Sequence, residues 1–238
     1  MGSSIEAAEA RLPGSGPWLV GRRAAILQVA GASLGWGQGR PNLVSMLKAH
    51  DVPGAAVAFA ERGSVSWVVG QGVAERSTGR AVTAETPFEA ASLSKPAFAC
   101  AVLRLCSLGA LSLETEVGDV LGDEDLPSDA GIRRVRVKQI LTHTSGIPPD
   151  PPKGRMLKLA SAPGSRFAYS PHAFDYLQRM AVKVSSRPLA VLMEDLVLKP
   201  SGMRASWFDW SDGFAAARAV GYDVKGTPGR RSTSGFGG

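Results

Sequence analysis

The sequence predicts an α/β protein of the α+β kind: a short helix, a β-hairpin and then a long, mainly helical body. Three observations carry this expectation. Two runs rich in valine and aromatic residues flank the turn Glu61-Arg62-Gly63-Ser64 within AAVAFAERGSVSWVVGQGVAE, the pattern of two tightly joined strands. Ala97 to Leu108 has apolar residues at helical spacing and stops at Gly109. Ala173 to Val184 and Leu189 to Leu198 also read as helices, parted by a break at Ser185 to Pro188.

In chain order, PNLVSMLKAHDVPG reads as a short amphipathic helix from Pro41, stopped by Pro53 and Gly54. The hairpin follows, from Ala55 to Ala74, and then the Ala97 helix. LSLETEVGDVL leads into an acidic loop from Asp123 to Asp129. VRVKQILTHTSGIPP reads as a short helix running into a proline-rich turn, and Pro148 to Pro152 as a surface loop.

With 238 residues the chain is long enough for a substantial buried core. Its 44% hydrophobic and 20% charged residues are those of an ordinary soluble domain. The net charge of +6 is modest, and the basic run RRVRVK (Arg133 to Lys138) is broken by two valines without an interleaved aromatic. It reads as a solvated edge, so no nucleic-acid partner is expected. Cys100 and Cys106 lie six apart on a predicted helix and face different directions, so two buried structural thiols are expected. Three scattered histidines and two helix cysteines lack ligand spacing, and no phosphate-cradling glycine motif opens a helix. Neither a metal nor a cofactor is expected.

Residues 1–40 read as a leader or poorly ordered segment, and residues 41–238 as the working domain. Arg22 and Arg23 precede a stretch of small apolar residues, the order of a twin-arginine export signal, but the residues after the arginine pair are not the usual ones and no small-x-small cleavage site stands after the stretch. A cytoplasmic protein is the reading taken, with export as the alternative. The stretch is too short and glycine-rich to span a membrane, and no stable membrane insertion is expected.

Ser92 and Lys95 stand three residues apart at the head of an apolar helix. Positions i and i+3 share a helix face, roughly 4.5 Å apart in rise. In a dry pocket an amine there loses charge stabilisation and can take the serine's proton. A serine at a helix N-terminus can also turn its own N–H toward a developing oxyanion. Pro96 suits the first turn, where its missing N–H costs nothing. The same spacing also fits a serine N-cap with a snorkelling lysine.

FEAASLSK resembles the S-x-x-K nucleophile motif of the serine β-lactamase and penicillin-binding-protein superfamily. VKQILTHTSGIP is similar to the LLTHTSG signature of its class C β-lactamase-related, esterase-like branch. APGSRFAYS resembles that branch's PG-x-x-F-x-YSN segment, and LVLKPSGMRASWF its PLGM-x-x-T-x-F segment. The four pieces occur in the family's order, and the resemblance covers about residues 41–238. It implies a β-lactamase-like fold, with a sheet flanked by helices beside an all-helical region. It implies acyl-enzyme chemistry on a small-molecule substrate: a β-lactam, an ester or a D-amino-acid peptide.

Carried over by residue, the resemblance makes Ser92 the nucleophile, Lys95 its proton partner and Tyr169 the second-motif tyrosine that shuttles the proton. Tyr169 also fits a half-buried aromatic with a satisfied hydroxyl. His143 and Ser145 tempt a serine–histidine reading, but no acidic partner sits in a comparable motif. In the resembled family this histidine belongs to a structural turn.

Two departures stand out. The second motif reads YSP, with Pro171 in place of the family's asparagine, which loses two donors and an acceptor. No lysine- or histidine-led third motif follows. RSTG (Arg76 to Gly79) lies upstream of Ser92, and STSGFGG from Ser232 follows an arginine. That motif's strand normally supplies an oxyanion donor, whose loss costs about 3–4 kcal/mol. The chain is therefore expected to be a fragment or a truncation lacking the sheet's C-terminal strands. An exposed sheet edge open to self-association is expected with it. Two function classes stay open: a serine hydrolase, and a catalytically silent remnant serving as a binding or interaction module.

Overall fold

Asn42 accepts a 3.2 Å hydrogen bond from the Ser45 N–H and so caps the first helix, α1 (Leu43–Ala49), the N-cap role asparagine favours. The computed structural model describes residues 42–122, 126, 130–150, 157–209 and 212–229. The leader reading of residues 1–40, most of the acidic loop and the STSGFGG segment fall outside these residues. The chain divides between Thr86 and Pro87 into two compact units.

In the first unit, β1 (Gly54–Glu61) and β2 (Ser64–Glu75) pair antiparallel through a two-residue turn. Arg62 and Gly63 both carry positive φ, +51° and +80°, as a tight hairpin that follows the strands' twist demands. The register sets Val57 against Val69 and Phe59 against Trp67, whose rings stack with centroids 5.7 Å apart. A two-residue strand, β3 (Arg80–Ala81), adds to β2, giving the order β1-β2-β3. The RSTG stretch makes the turn between them, with Ser77 and Thr78 donating their hydroxyl hydrogens to the Glu75 carboxylate. Among the described residues, nothing hydrogen-bonds to the outer edge of β1.

The second unit is helical. Helix α2 (Ser94–Ser107) buries Phe98, Ala101, Val102 and Leu105 completely, a single stripe at spacings of three and four. It stops at Gly109, φ +76°, where the Ala110 N–H reaches the Leu105 carbonyl at 3.0 Å. Short helices α3 (Val117–Val120), α4 (Ala130–Arg133) and α5 (Val137–Leu141) follow. The basic run sits here: Val135 and Val137 are fully buried, while Arg136 pairs with Glu114 and Glu116 and Lys138 with Glu114.

Helix α6 (Pro171–Ser185) is closed by Ser186 at φ +53°. Then come α7 (Leu189–Met193), a turn of π-helix (Glu194–Leu198) and α8 (Asp212–Ala217). Leu105, Ile140, Leu177, Met180 and Met193 make the centre of the core. Truncating one of them to alanine costs about 2–5 kcal/mol.

The cysteines correct one expectation. Both are free, but Cys100 is exposed and only Cys106 is partly buried. Six residues turn a helix by about 600°, which leaves the two about 120° apart. Cys106 therefore packs on the core, where desolvation pushes its thiol pKa up, and Cys100 turns outward. Among the described residues, no helix is long and apolar enough to cross a membrane.

Candidate active site

Ser92 lies in a 3₁₀ turn, Ala91–Leu93, that runs directly into α2. The turn is strained at its first residue: Ala91 has φ +44°, a backbone that costs an L-residue about 1–2 kcal/mol. The run-in is held from behind, where Glu89 pairs with Arg218 at 3.3 Å and the Ala219 N–H reaches the Pro87 carbonyl at 2.8 Å. The result is an exposed serine whose N–H makes no hydrogen bond with the described residues.

Lys95 is the opposite case. It is only 4% exposed, and its Nζ donates to Ser92 Oγ at 3.2 Å. The amine lies 5.5 Å from the ring centre of Tyr169 and 5.9 Å from that of Phe174, faces that favour a cation. The i, i+3 spacing thus delivers the pairing expected of it.

Tyr169 comes from a segment 77 residues away, and its hydroxyl donates to Ser92 Oγ at 2.8 Å. Hydrogen bonding with Ser92, whose hydroxyl can donate to the phenolate, is the first cause holding the Tyr169 pKa below its ordinary value, with Lys95 adding to it against desolvation. The segment before Tyr169 is laced to the THTSG loop. Gly164 N–H bonds the Thr144 carbonyl at 2.7 Å and Ala160 N–H the Gly146 carbonyl at 2.8 Å. Gly146, φ +75°, lets the Ser161 carbonyl approach so closely that a β-carbon would collide with it. The two sequence motifs are therefore two sides of one structure.

Ser170 is buried and caps α6, its Oγ accepting from Ala173 N–H at 3.1 Å. Pro171 takes the first helical position, where its fixed φ and missing donor are harmless. It does not line the cavity, which is about 510 Å³ and bounded by Ser92, Lys95, His143 and Tyr169 with Ala90, Leu93, Leu141 and Phe174 among its apolar walls.

The structure thus brings Ser92, Lys95 and Tyr169 within hydrogen-bond reach, while RSTG lies in the other unit. Two residues of the site were not anticipated. Ala91 carries no sequence signal, because alanine ordinarily avoids positive φ. Phe174 was legible in part, since it stands on the buried face of α6 with Ala173 and Leu177. Among the described residues, no group of His, Cys, Asp and Glu side chains gathers as a metal site.

Chemically, the Ser92 oxygen receives two donors and faces an apolar cavity. Either partner, once deprotonated, is placed to take the serine's proton.

The β-lactamase family model matches residues 40–238. Esterase EstB of Burkholderia gladioli is 31% identical over 191 residues, covering 68% of this chain and 48% of its own length. Penicillin-binding protein 4 of Amycolatopsis lactamdurans is 39% identical over 101 residues, 42% of this chain and 26% of its own. The chain spans about half the length, or less, of the curated relatives it matches. Among solved structures, the D-alanine carboxypeptidase AmpC of Burkholderia cenocepacia superposes with TM-score 0.70 and 26% identity, over 82% of this chain and 56% of that one. A class C β-lactamase of Rhodobacter sphaeroides shares the fold, with TM-score 0.68 and 24% identity over 82% of this chain and 57% of its own.

Proposed function

The chain belongs to the β-lactamase family, and from that premise we propose that it is a serine hydrolase working through an acyl-enzyme. Ser92 is the nucleophile, and Lys95 and Tyr169 manage its proton. The observation that carries this reading is the convergence of Lys95 Nζ at 3.2 Å and Tyr169 hydroxyl at 2.8 Å on one serine oxygen. The similarity to an esterase and to penicillin-binding proteins supports the reaction class.

In the proposed first step, Tyr169 as phenolate takes the Ser92 proton while Oγ bonds to the substrate's carbonyl carbon. The tetrahedral adduct collapses, the bond to the leaving atom breaks, and the proton on Tyr169 passes to that atom. Lys95, which already donates to Ser92 Oγ, steadies the phenolate and the tetrahedral oxyanion. Water then attacks the acyl-serine, gives its proton to the phenolate, and the proton returns to Ser92 as the acid departs. The Ser92 N–H supplies one oxyanion donor.

The substrate is a small carbonyl compound: a simple activated ester first, with β-lactams and D-amino-acid peptides behind it. An ester with a good leaving group asks little of the general acid, and the cavity's walls are mostly apolar. The working domain is residues 41–238, and the outer edge of β1, unpaired among the described residues, is its surface for self-association.

The test is covalent labelling with a fluorophosphonate and with a fluorescent penicillin, located by peptide mass. Label on Ser92 that vanishes in Ser92→Ala is the expected result. Label that persists in the alanine variant assigns the nucleophile elsewhere.

A further inference from the structure

The imidazole of His143 faces the cavity yet has no part in the proton steps above. What it does have is a hold on both neighbours of Tyr169. Its carbonyl accepts from the Ala168 N–H at 2.7 Å, and its Nδ1 accepts from the Ser170 N–H at 3.2 Å. Its backbone sits at φ +54°, a conformation in which histidine and asparagine are enriched among non-glycine residues. The ring itself is packed on three others. Its centroid lies 4.6 Å from Tyr169, 5.1 Å from Phe174 and, edge to face, 5.9 Å from Phe167.

We propose that His143, as the neutral tautomer with its proton on Nε2, is the positioning residue that seats Tyr169 against Ser92. The proposal rests on the serine-hydrolase reading for its consequence, though not for its geometry. An Nδ1 that accepts a backbone N–H carries no proton, so the neutral ring must carry it on Nε2. Protonating Nδ1 would set a donor against the Ser170 N–H and break that hold. It would also place a second positive charge beside the amine of Lys95.

The surroundings resist that protonation. Burial first, and Lys95 second, hold the His143 pKa below its ordinary value. The charged or titratable groups facing the ring are Lys95 from α2 and Tyr169 from the segment before α6; α6 itself presents Phe174. Acid therefore acts on the site through this ring: once it is charged, Tyr169 loses its seat and Ser92 its partner.

The experiment uses the full chain, with 15N-labelled histidine and 13Cζ-labelled tyrosine, beside the rate of Ser92 labelling by a fluorophosphonate. Tyr169→Phe assigns the tyrosine signal. In the wild type, His143 should keep the neutral Nε2–H form to a pH below the ordinary histidine value of about 6.5. His143→Phe keeps a ring but no acceptor. It should lower the labelling rate about tenfold or more and raise the pH at which Tyr169 titrates. His143→Asn restores an acceptor and tolerates positive φ, and should bring the rate back to within about threefold of wild type.

A phenylalanine variant with the wild-type rate and the wild-type Tyr169 midpoint overturns the proposal. So does a wild-type His143 that is charged at pH 6.5 while labelling continues undiminished. If His143→Phe does not fold, the tautomer measurement on the wild type decides. If the wild type takes no label at all, the serine-hydrolase reading fails, while the Tyr169 midpoint and the tautomer still judge the positioning role.

Discussion

Tyr169 donates a 2.8 Å hydrogen bond to the hydroxyl oxygen of Ser92 across 77 residues of chain. Neither residue holds its place alone. Ser92 depends on the strained turn before α2, and Tyr169 on backbone bonds to the THTSG loop.

The pH dependence of acylation should follow Tyr169. Its pKa is lowered, chiefly by the bond to Ser92, so the phenolate forms below the ordinary tyrosine value of about 10. The rate should rise with pH through that depressed value and then level. Tyr169→Phe should remove this limb. The sign for stability is the same: a depressed folded pKa contributes stability that is complete above the unfolded value of about 10 and is lost as pH falls through the folded one. Tyr169 is 42% exposed and solvent screens it, so the effect on stability is small while that on rate is not. Stopped-flow labelling between pH 6 and 10 measures it.

Lys95→Met should cut acylation about 100-fold or more while the fold persists. Methionine keeps most of the buried stem and discards the amine that bonds Ser92. Labelling rate and circular-dichroism melting, taken together, check this. A collapsed melting temperature with unchanged turnover per folded molecule would mean that the lysine is structural.

A nitrophenyl ester should be hydrolysed slowly and a chromogenic cephalosporin hardly at all. Opening a β-lactam needs its nitrogen protonated and its carboxylate oriented. Pro171 starts α6 and offers neither donor nor acceptor from its side chain. Efficient cephalosporin turnover by a monodisperse monomer would refute this.

Gly146→Ala should destabilise the helical unit by about 1–3 kcal/mol or more. The backbone there is left-handed, and the Ser161 carbonyl occupies the space a methyl group needs. Urea denaturation measures the loss. Because Tyr169 depends on this lacing, labelling of Ser92 should fall alongside.

Ala58→Lys, in the middle of β1, should reduce self-association. Ala58 is exposed on a strand whose outer edge is unpaired among the described residues, and an edge lysine discourages strand addition. Sedimentation velocity at several concentrations reads the change.

Much of this was legible in the sequence because it is local. The Ala97 helix announced itself by periodicity, and the hairpin by a turn with Arg62 and Gly63 between valine-rich runs. The distance from Lys95 to Ser92 followed from helical rise. Tyr169 became a site residue only through its motif, since no local rule brings residue 169 to residue 92. The rest was set by tertiary partners. Strand β3 is two residues long and exists because β2 offers an edge. Cys100 turned outward because the buried stripe of α2 runs through Phe98, Val102 and Leu105 instead. Glu194–Leu198 continues α7 as a π-turn, for which the sequence offers no periodic signal.

The positive φ of Ala91 bears on how this chain can be improved. A folded domain commonly holds only about 5–15 kcal/mol in reserve, so one strained residue is a visible fraction of it. Ala91→Gly would relieve the strain and is an obvious target for a stability screen. It would also loosen the turn that holds Ser92. Selection for heat resistance and selection for turnover should therefore part company at this position, the first favouring glycine and the second retaining alanine.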